Sequence, residues 1–457
     1  MDVGEVGQGM SVRILRPGVS LFILCSLSGF SSACGQSAPQ GPQGTATLRL
    51  TLKQAVQIAL KQNPRQVVAQ LLVQQSARDS QIERAPLLPQ IRLGASAALE
   101  QYNLQTVERL PEPKAAGPFQ HVEGGTFFSQ TLLNLPLIRQ YQIGREGTVE
   151  ANANQKTNRE DVAAAVVAQY LLVLKAFADY EATAAQVALA ERLFEQATEL
   201  QKTGVALNID VVRANVQLQI ERQVLIRADT ETRTTRYRLA ELLNLPREQE
   251  PQVADHFEFF DLPTFDREAS IAKALSNRPE MKAIAAETRI AELSRKSASD
   301  ERLPQLDFTG FWSYQGVHFS DSIPSYSYAA SLSIPLFVGG RIHTEIERQK
   351  LVEQQVDENR KALEARIVRE VKTALDELES ARTAVDVANA ALQLANEEVA
   401  QAQRRFQAGV TTNVEVIEAQ TTLAVASDNQ VEALYVFNQS RANLARAMGE
   451  IENAYTK

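Results

Sequence analysis

The sequence is poor in the residues that build catalytic, redox and metal sites. Its 457 residues include two cysteines, one tryptophan and four histidines. Both cysteines, Cys25 and Cys34, lie near the start, so the remainder cannot form a disulfide framework or a thiolate metal site. The histidines lack neighbouring acids at ligand spacing, and we find no nucleophile or phosphate-binding loop. The sequence therefore predicts no enzyme, no metal site and no cofactor.

Net positive charge and long apolar segments are also missing. The formal net charge is −8, which argues against a nucleic-acid partner. After residue 34 we identify no segment with the ~20 apolar residues that a membrane-spanning helix needs. We therefore expect that any passage through a membrane uses a β-barrel.

The first residues have the pattern of a targeting segment. Two arginines precede an apolar stretch at 19–30, and SSAC follows, so we assign residues 1–33 to a signal peptide and 34–50 to a flexible linker. Met10 is an alternative start. Two outcomes at SSAC stay open, namely simple cleavage and cleavage with a lipid attached to Cys34.

A duplicated pattern organises the rest of the chain. The segments 199–220 and 404–426 each carry a glycine, Gly204 or Gly409, after a helical run, and then an asparagine and an acid that begin a second run. This order predicts the tip of a helical hairpin. The same offset of 205 residues pairs Asn208 with Asn413, Asp210 with Glu415, and Asn244 with Gly449. The chain therefore contains two repeats.

Helical periodicity defines the arms of the first hairpin. Residues 139–201 predict one arm of ~90 Å and residues 210–244 a shorter arm of ~50 Å. A helix at 266–299 would supply the missing length if it stacked on the shorter arm. The second hairpin runs from 341 to 408 and returns to 448. We assign the domains as repeat 1 (51–250), a linker (251–265), repeat 2 (266–449) and a tail (450–457).

Four segments alternate between apolar and small or polar residues with the period of a strand. They are 87–103, 126–138, 305–315 and 326–336. An apolar face over a hydroxyl-rich face is typical of a membrane barrel. Four strands cannot close a barrel, so either they form a small soluble sheet or two, three or four chains share one barrel.

These pieces resemble the TolC-type outer-membrane efflux factors. The matching segments are the tips KTGVALNIDV and RFQAGVTTNVEV, the LPQ strand openings, and the strand exits LNLPLI and LSIPLF. The resemblance implies a mainly α fold of two repeats, with hairpins in a periplasmic α-barrel. It also implies four strands per chain in a twelve-stranded β-barrel, shared by a homotrimer in outer-membrane lipid. The implied partners are a periplasmic adaptor and an inner-membrane pump of the RND or ABC type.

The resemblance also implies a gate at the tips. Glu415 and Glu418 would form acidic rings at the tunnel entrance. The family's closing network places its aromatic at Phe406, which lacks a hydroxyl, and its first-repeat acid at Asp210. Its basic position falls on Thr411, so this sequence departs from the pattern.

Further candidates follow from the repeat and the strands. We expect Arg213 to replace the missing base by pairing with Glu418 across hairpins. The alternative is that the two glutamates are ordinary first-turn carboxylates. Adaptor contacts are assigned to Gly204, Val205, Gly409 and Val410. A membrane aromatic belt is assigned to Trp312, Tyr314, Tyr326 and Tyr328, which could equally be core aromatics of a soluble sheet.

The sequence therefore predicts an outer-membrane channel-tunnel with a periplasmic extension, through which efflux or type I secretion substrates leave the cell. The alternative is a periplasmic helical adaptor or scaffold without a pore. The sequence does not identify the exported substrate, the pump or the resting state of the tunnel.

Overall fold

The structure is a computed structural model that describes residues 46–104, 115–257, 259–260 and 265–456. In chain order the elements are β1 (Ala46–Leu50), α1 (Leu52–Gln62), α2 (Pro64–Arg84), β2 (Gln90–Asn103), β3 (Ala115–Leu133), α3 (Leu135–Lys202), α4 (Asn208–Leu242), β4 (Gln249–Val253), α5 (Arg267–Asn277), α6 (Pro279–Asp300), β5 (Gln305–Gly316), β6 (Ile323–Ser333), α7 (Arg341–Gln407), α8 (Asn413–Ala447) and α9 (Ile451–Thr456). The predicted fold class, mainly helical with four antiparallel strands and two repeated halves, is confirmed.

Two helical hairpins dominate the molecule. The first joins α3, of 68 residues, to α4, of 35 residues, and the second joins α7, of 67 residues, to α8, of 35 residues. The near identity of these lengths reproduces the duplication seen in the sequence. Helix α3 also packs against α8, so the two hairpins lie side by side.

The short arms are extended by helices of their own repeats. The sequence predicts that 266–299 is one helix stacked on the first short arm, and this prediction is wrong on both points. The chain breaks at Arg278 because Pro279 follows and disfavours helical backbone before it. The helix that abuts the end of α4 is α2, where the Asn63 side-chain amide donates a 2.7 Å hydrogen bond to the carbonyl of Leu242.

The equivalent joint in the second repeat is ionic. The Arg278 side chain is almost fully buried and pairs with Glu280 at 2.8 Å and with Glu370. Arg446, on α8, lies 3.0 Å from Glu280 and 2.6 Å from Asp161 on α3. The ion pairs among the first four of these residues therefore lie within the second repeat, and the pair with Asp161 connects it to the first repeat.

The larger sheet has the order β2-β3-β5-β6 and is antiparallel throughout. Strand β3 begins at Ala115 and ends at Leu133, whereas the sequence predicts 126–138. The strand ends earlier because Asn134 caps α3, its side-chain oxygen accepting a 3.1 Å hydrogen bond from the amide of Leu137. Within this sheet β2 and β6 are edge strands, with no partner for their outer edges in the described chain.

A second, two-stranded parallel sheet is absent from the sequence prediction. Strand β1 pairs with β4, and the two lie in or beside segments that the sequence assigns to linkers. The Tyr170 hydroxyl lies 2.8 Å from the carbonyl of Leu50 and 2.9 Å from the Asp255 carboxylate. Burial, together with Asp255, raises the pKa of Tyr170. These contacts fix β1 against α3.

One helix in the described part of the chain has a stretch of 18 residues apolar enough to cross a membrane, and it is α3. The sequence analysis overlooked this stretch. Half of it is buried inside the protein. Val162, Val166 and Tyr170 of α3 are fully or almost fully buried in the largest apolar cluster, which also includes side chains of α1, β1 and α9. A core helix accounts for this composition.

Candidate functional site

The two hairpin tips have the same backbone geometry. Gly204 and Gly409 adopt φ angles of +74° and +67°, which favour glycine. In each tip the amide of the following valine donates a hydrogen bond back across the turn, at 2.9 and 3.0 Å. Val205 and Val410 are 63% and 70% exposed. Both tips therefore present an apolar side chain to the surroundings.

The first acid of repeat 1 acts within its own helix start. Asp210 is buried, and its carboxylate accepts a 3.1 Å hydrogen bond from the amide of Leu207. Arg213 lies one turn later, with Nη1 3.9 Å from Asp210 Oδ1. The expected pair between Arg213 and Glu418 is not made within one described chain. Helical spacing explains this result, since positions i and i+3 are neighbours.

Glu415 forms an ion pair with a residue that the sequence analysis missed. Arg405, near the end of α7, places Nε 3.0 Å from Glu415 Oε1. Thr411, in the turn, donates a 2.5 Å hydrogen bond to Glu415 Oε2. The base absent from position 411 is thus supplied from the preceding helix. Glu418 is exposed one turn further along α8.

Asn413 joins the two tips and was also missed. Its side chain is 0% exposed, and its amide donates a 2.7 Å hydrogen bond to the carbonyl of Asp210 in the other hairpin. Its own side-chain oxygen is buried without a partner in the described chain. The repeat pairs Asn413 with Asn208, but Asn208 is exposed and accepts from Gln201. Only their tertiary surroundings distinguish them.

Phe406 lies in the apolar core beneath the tips. It is 4% exposed and belongs to a cluster that includes Leu193 and Ala197 of α3 and Val416 of α8. This core spans both hairpins. An aromatic ring enclosed by apolar side chains has no need of a hydroxyl group, which accounts physically for phenylalanine at this position.

The four aromatics assigned to a membrane belt share one face of the larger sheet. Trp312 and Tyr326 are directly opposed in the register, and the ring centroids of Trp312 and Tyr314 are 5.4 Å apart. Tyr326 and Tyr328 have centroids 6.1 Å apart. All four are exposed in the single chain. Cys34, the candidate lipid attachment, lies outside the described residues.

The two faces of the larger sheet differ in chemistry, and we call the face of Ser313 the concave face and the face of Leu93 the convex face. A Cβ atom on Gly125 would lie only 2.3 to 2.4 Å from atoms of Ser313 on the neighbouring strand, so the two strands leave no room for a side chain at this position. Ser313 is fully buried there. The opposite face carries Leu93, 83% exposed, and Leu332, 63% exposed. The concave face is therefore polar and the convex face apolar, as in a barrel with a wet interior.

Two long hairpins, continuous with an open sheet that is apolar on its convex face, define a subunit of a channel that joins a helical tunnel to a shared membrane barrel. The chain belongs to the outer membrane efflux protein family, whose sequence model matches residues 55–245 and 270–450. It is an efflux channel of the Gram-negative outer membrane and not an enzyme. The family implies a trimeric channel that works with a pump.

The relatives agree with this assignment. The chain is 21% identical to the outer membrane protein TolC of Salmonella enteritidis over 468 residues, which cover 97% of this chain and 87% of that protein. It is 28% identical to the pyoverdine export outer membrane protein OpmQ of Pseudomonas aeruginosa over 188 residues, which cover 39% and 38% of the two chains.

Solved structures show the same fold at low sequence identity. The Campylobacter jejuni CmeC outer membrane channel matches with a TM-score of 0.76 and 18% identity, over 87% of this chain and 85% of that one. The open state of the Neisseria gonorrhoeae MtrE outer membrane channel matches with a TM-score of 0.69 and 18% identity, over 89% and 90% of the chains.

Proposed function

We propose that the hairpin tips of three copies close the periplasmic end of the tunnel, and that an adaptor bound to the tips opens it. The observation that carries this proposal is the buried hydrogen bond from Asn413 to the carbonyl of Asp210. Separating the hairpins would break this bond and expose both partners. The link therefore favours the state in which the tips stay together.

Glu415 and Glu418 supply the charge of the closed entrance. They stand three residues apart on α8, so their side chains leave the helix on the same side. Three copies would bring six carboxylates to the tunnel axis. Arg405 offsets part of the charge of Glu415, whereas Glu418 is exposed. Glu415, nearer the tip, would thus form the weaker ring and Glu418, one turn further along α8, the stronger one. Both rings would favour cations at the entrance.

The adaptor would bind the exposed valines of the tips. Val205 and Val410 offer small apolar contacts, and the backbone geometry that Gly204 and Gly409 share holds them at the surface. An adaptor helix with an apolar face suits such a contact. The pump behind the adaptor would be an inner-membrane transporter of the RND or ABC type.

The mature chain would be held in outer-membrane lipid by the convex face of the sheet. Trp312, Tyr314, Tyr326 and Tyr328 suit the boundary between lipid and water because each joins an apolar ring to a polar group. Residues 1–33 would be removed as a signal peptide, and a lipid on Cys34 would add a second anchor. The two repeats would then contribute equal parts of tunnel and barrel.

Single-channel conductance of the detergent-purified protein in planar bilayers tests the proposal. We expect a small, cation-selective conductance that a trivalent cation blocks. The double variant Glu415→Ala/Glu418→Ala should lose this block. The matched control Glu397→Ala/Glu398→Ala, on the exposed side of α7, should keep it.

Each outcome has a distinct meaning. A trimer that inserts but is blocked equally in both double variants would move the entrance away from these glutamates. A monomer that stays soluble without detergent would favour the scaffold without a pore.

A further inference from the structure

One transverse row of the larger sheet combines a cation with two aromatic rings. Arg92 on β2 is directly opposed to Phe127 on β3, which is opposed to Phe311 on β5, which is opposed to Ser327 on β6. These four residues are here called the Arg–Phe row. They share the concave face with Ser313, since strand side chains alternate between faces and the spacing is even. The row crosses the middle of β5 and β6.

The rings of the row are held in place by packing. The Phe127 ring lies over Gly94 of the neighbouring strand, where a Cβ atom would come within 3.2 Å of the ring. The centroids of Phe127 and Phe311 are 6.2 Å apart, with their planes 40° from parallel. The guanidinium of Arg92 lies 5.2 Å from the centroid of Phe127. Gly94 thus makes room for the Phe127 ring, and the guanidinium of Arg92 packs against that ring.

The charge of Arg92 is not offset by a carboxylate. In the described ranges no acidic side chain lies within ion-pair distance of its guanidinium, and its contact is with the Phe127 ring. A guanidinium has five N–H donors in one plane, so it can bind a planar anion while keeping this contact. The row borders a cleft of about 560 Å³, which Thr309 and Ser129 also line.

We propose that this cleft binds planar aromatic anions as they pass through the barrel. The anionic group would accept hydrogen bonds from Arg92, and the ring system would stack on Phe311. An aliphatic anion would lose the stacking, and an aromatic cation would be repelled. The site rests on the proposed function only in that the concave face must line the path through the barrel, here called the duct. The site is positively charged through Arg92, whereas the tips are negatively charged through Glu415 and Glu418.

Isothermal titration calorimetry of the detergent-purified trimer with naphthalene-2-sulfonate tests the site independently of gating. We expect cyclohexanesulfonate and 2-naphthylmethylammonium to bind at least tenfold more weakly. Arg92→Gln and Phe311→Leu should each weaken naphthalene-2-sulfonate at least tenfold. Ser331→Ala, on the same face but outside the row, is the matched control and should bind as the wild type does.

Conductance measured with the same probe separates the two proposals. A wild-type conductance that naphthalene-2-sulfonate reduces, and that Arg92→Gln restores, supports both. Binding in a conducting trimer whose conductance the probe leaves unchanged keeps the site and overturns its place in the conducting path. Two outcomes in a conducting trimer overturn the site and keep the duct. One is equal binding of naphthalene-2-sulfonate, cyclohexanesulfonate and 2-naphthylmethylammonium. The other is binding of naphthalene-2-sulfonate that neither Arg92→Gln nor Phe311→Leu changes.

Discussion

The side-chain amide of Asn413, in the first turn of α8, donates a 2.7 Å hydrogen bond to the main-chain carbonyl of Asp210, in the first turn of α4. One partner belongs to each hairpin, and the asparagine is fully buried. Because the acceptor is a backbone atom, substitution of Asp210 does not remove it. The link is therefore best probed from the side of Asn413.

Asn413→Ala should loosen the tips. The loss of this buried hydrogen bond costs about 0.5–1.5 kcal/mol, since the carbonyl of Asp210 keeps its bond within α4. If the bond favours the closed state, the variant should open more often or with a larger conductance in planar bilayers. The matched control is Asn396→Ala, because Asn396 is exposed and bonds only within α7. A conductance that rises equally in both variants would contradict the prediction.

Arg405→Gln should strengthen the block by cations. Arg405 lies 3.0 Å from Glu415 and offsets part of its charge. Without it, three more negative charges would act at the entrance, and the concentration of a divalent cation that halves the conductance should fall. The stability of the fold should change by less than about 1 kcal/mol, since the pair is exposed. An unchanged blocking concentration would place Glu415 away from the ion path.

Gly409→Ala should lower the free energy of unfolding less than Gly449→Ala does. Both glycines have positive φ, +67° and +70°. Around Gly409 the space for a Cβ atom is open, so the change should cost about 1 kcal/mol in backbone strain alone. A Cβ atom on Gly449 would also press on the backbone of Arg278 at 3.2 Å, for a cost of about 2 kcal/mol or more. Thermal unfolding followed by circular dichroism should rank them in this order.

Acid should weaken the joint at Arg278. Burial alone would raise the pKa of Glu280. The hydrogen bonds from Arg278, a backbone hydrogen bond and the charges of Arg446 and Arg278 together outweigh burial and lower the pKa to about 2. A carboxylate with a lowered pKa stabilises the fold above its unfolded pKa near 4.5 and loses this effect as the pH falls toward 2. The shift corresponds to a contribution on the order of 3 kcal/mol.

The expected observation is a melting temperature that falls steeply between pH 4.5 and about 2. Glu280→Gln should lower the melting temperature at neutral pH and flatten the acid branch. Glu377→Gln, on the exposed side of α7, should leave the curve as in the wild type. An acid branch that is the same in all three proteins would assign the acid sensitivity to other groups.

The parts of the fold that sequence could predict are those with long, repeated signals. The arms of both hairpins extend over dozens of residues of helical periodicity, and Gly204 and Gly409 mark their ends. The pairing of Asn244 with Gly449 also held, since Asn244 adopts a φ of +50°. It is the one non-glycine residue with positive φ in the described chain.

The missed parts depend on contacts between distant segments. Strands β1 and β4 have five residues each and lie about 200 positions apart, so neither carries a local signature. The break at Arg278 was visible in Pro279, yet the helical pattern on both sides hid it. The role of Asn413 could not be predicted, because the identical residue Asn208 occupies the matched position at the surface.

The joints at Asn63 and Arg278 differ in chemistry, so the two hairpins should respond differently to a force on their tips. At the first joint the short arm is held by neutral groups only, namely the side-chain amides of Gln62, Asn63 and Asn244, each of which donates to a main-chain carbonyl across the joint. At Arg278 and Arg446 the second short arm is held by ion pairs. The pair between Arg446 and Asp161 also connects this arm to α3 of the first hairpin. A pull on the second tip should therefore be transmitted to the first hairpin through Asp161 as well as through the shared contacts of the tips.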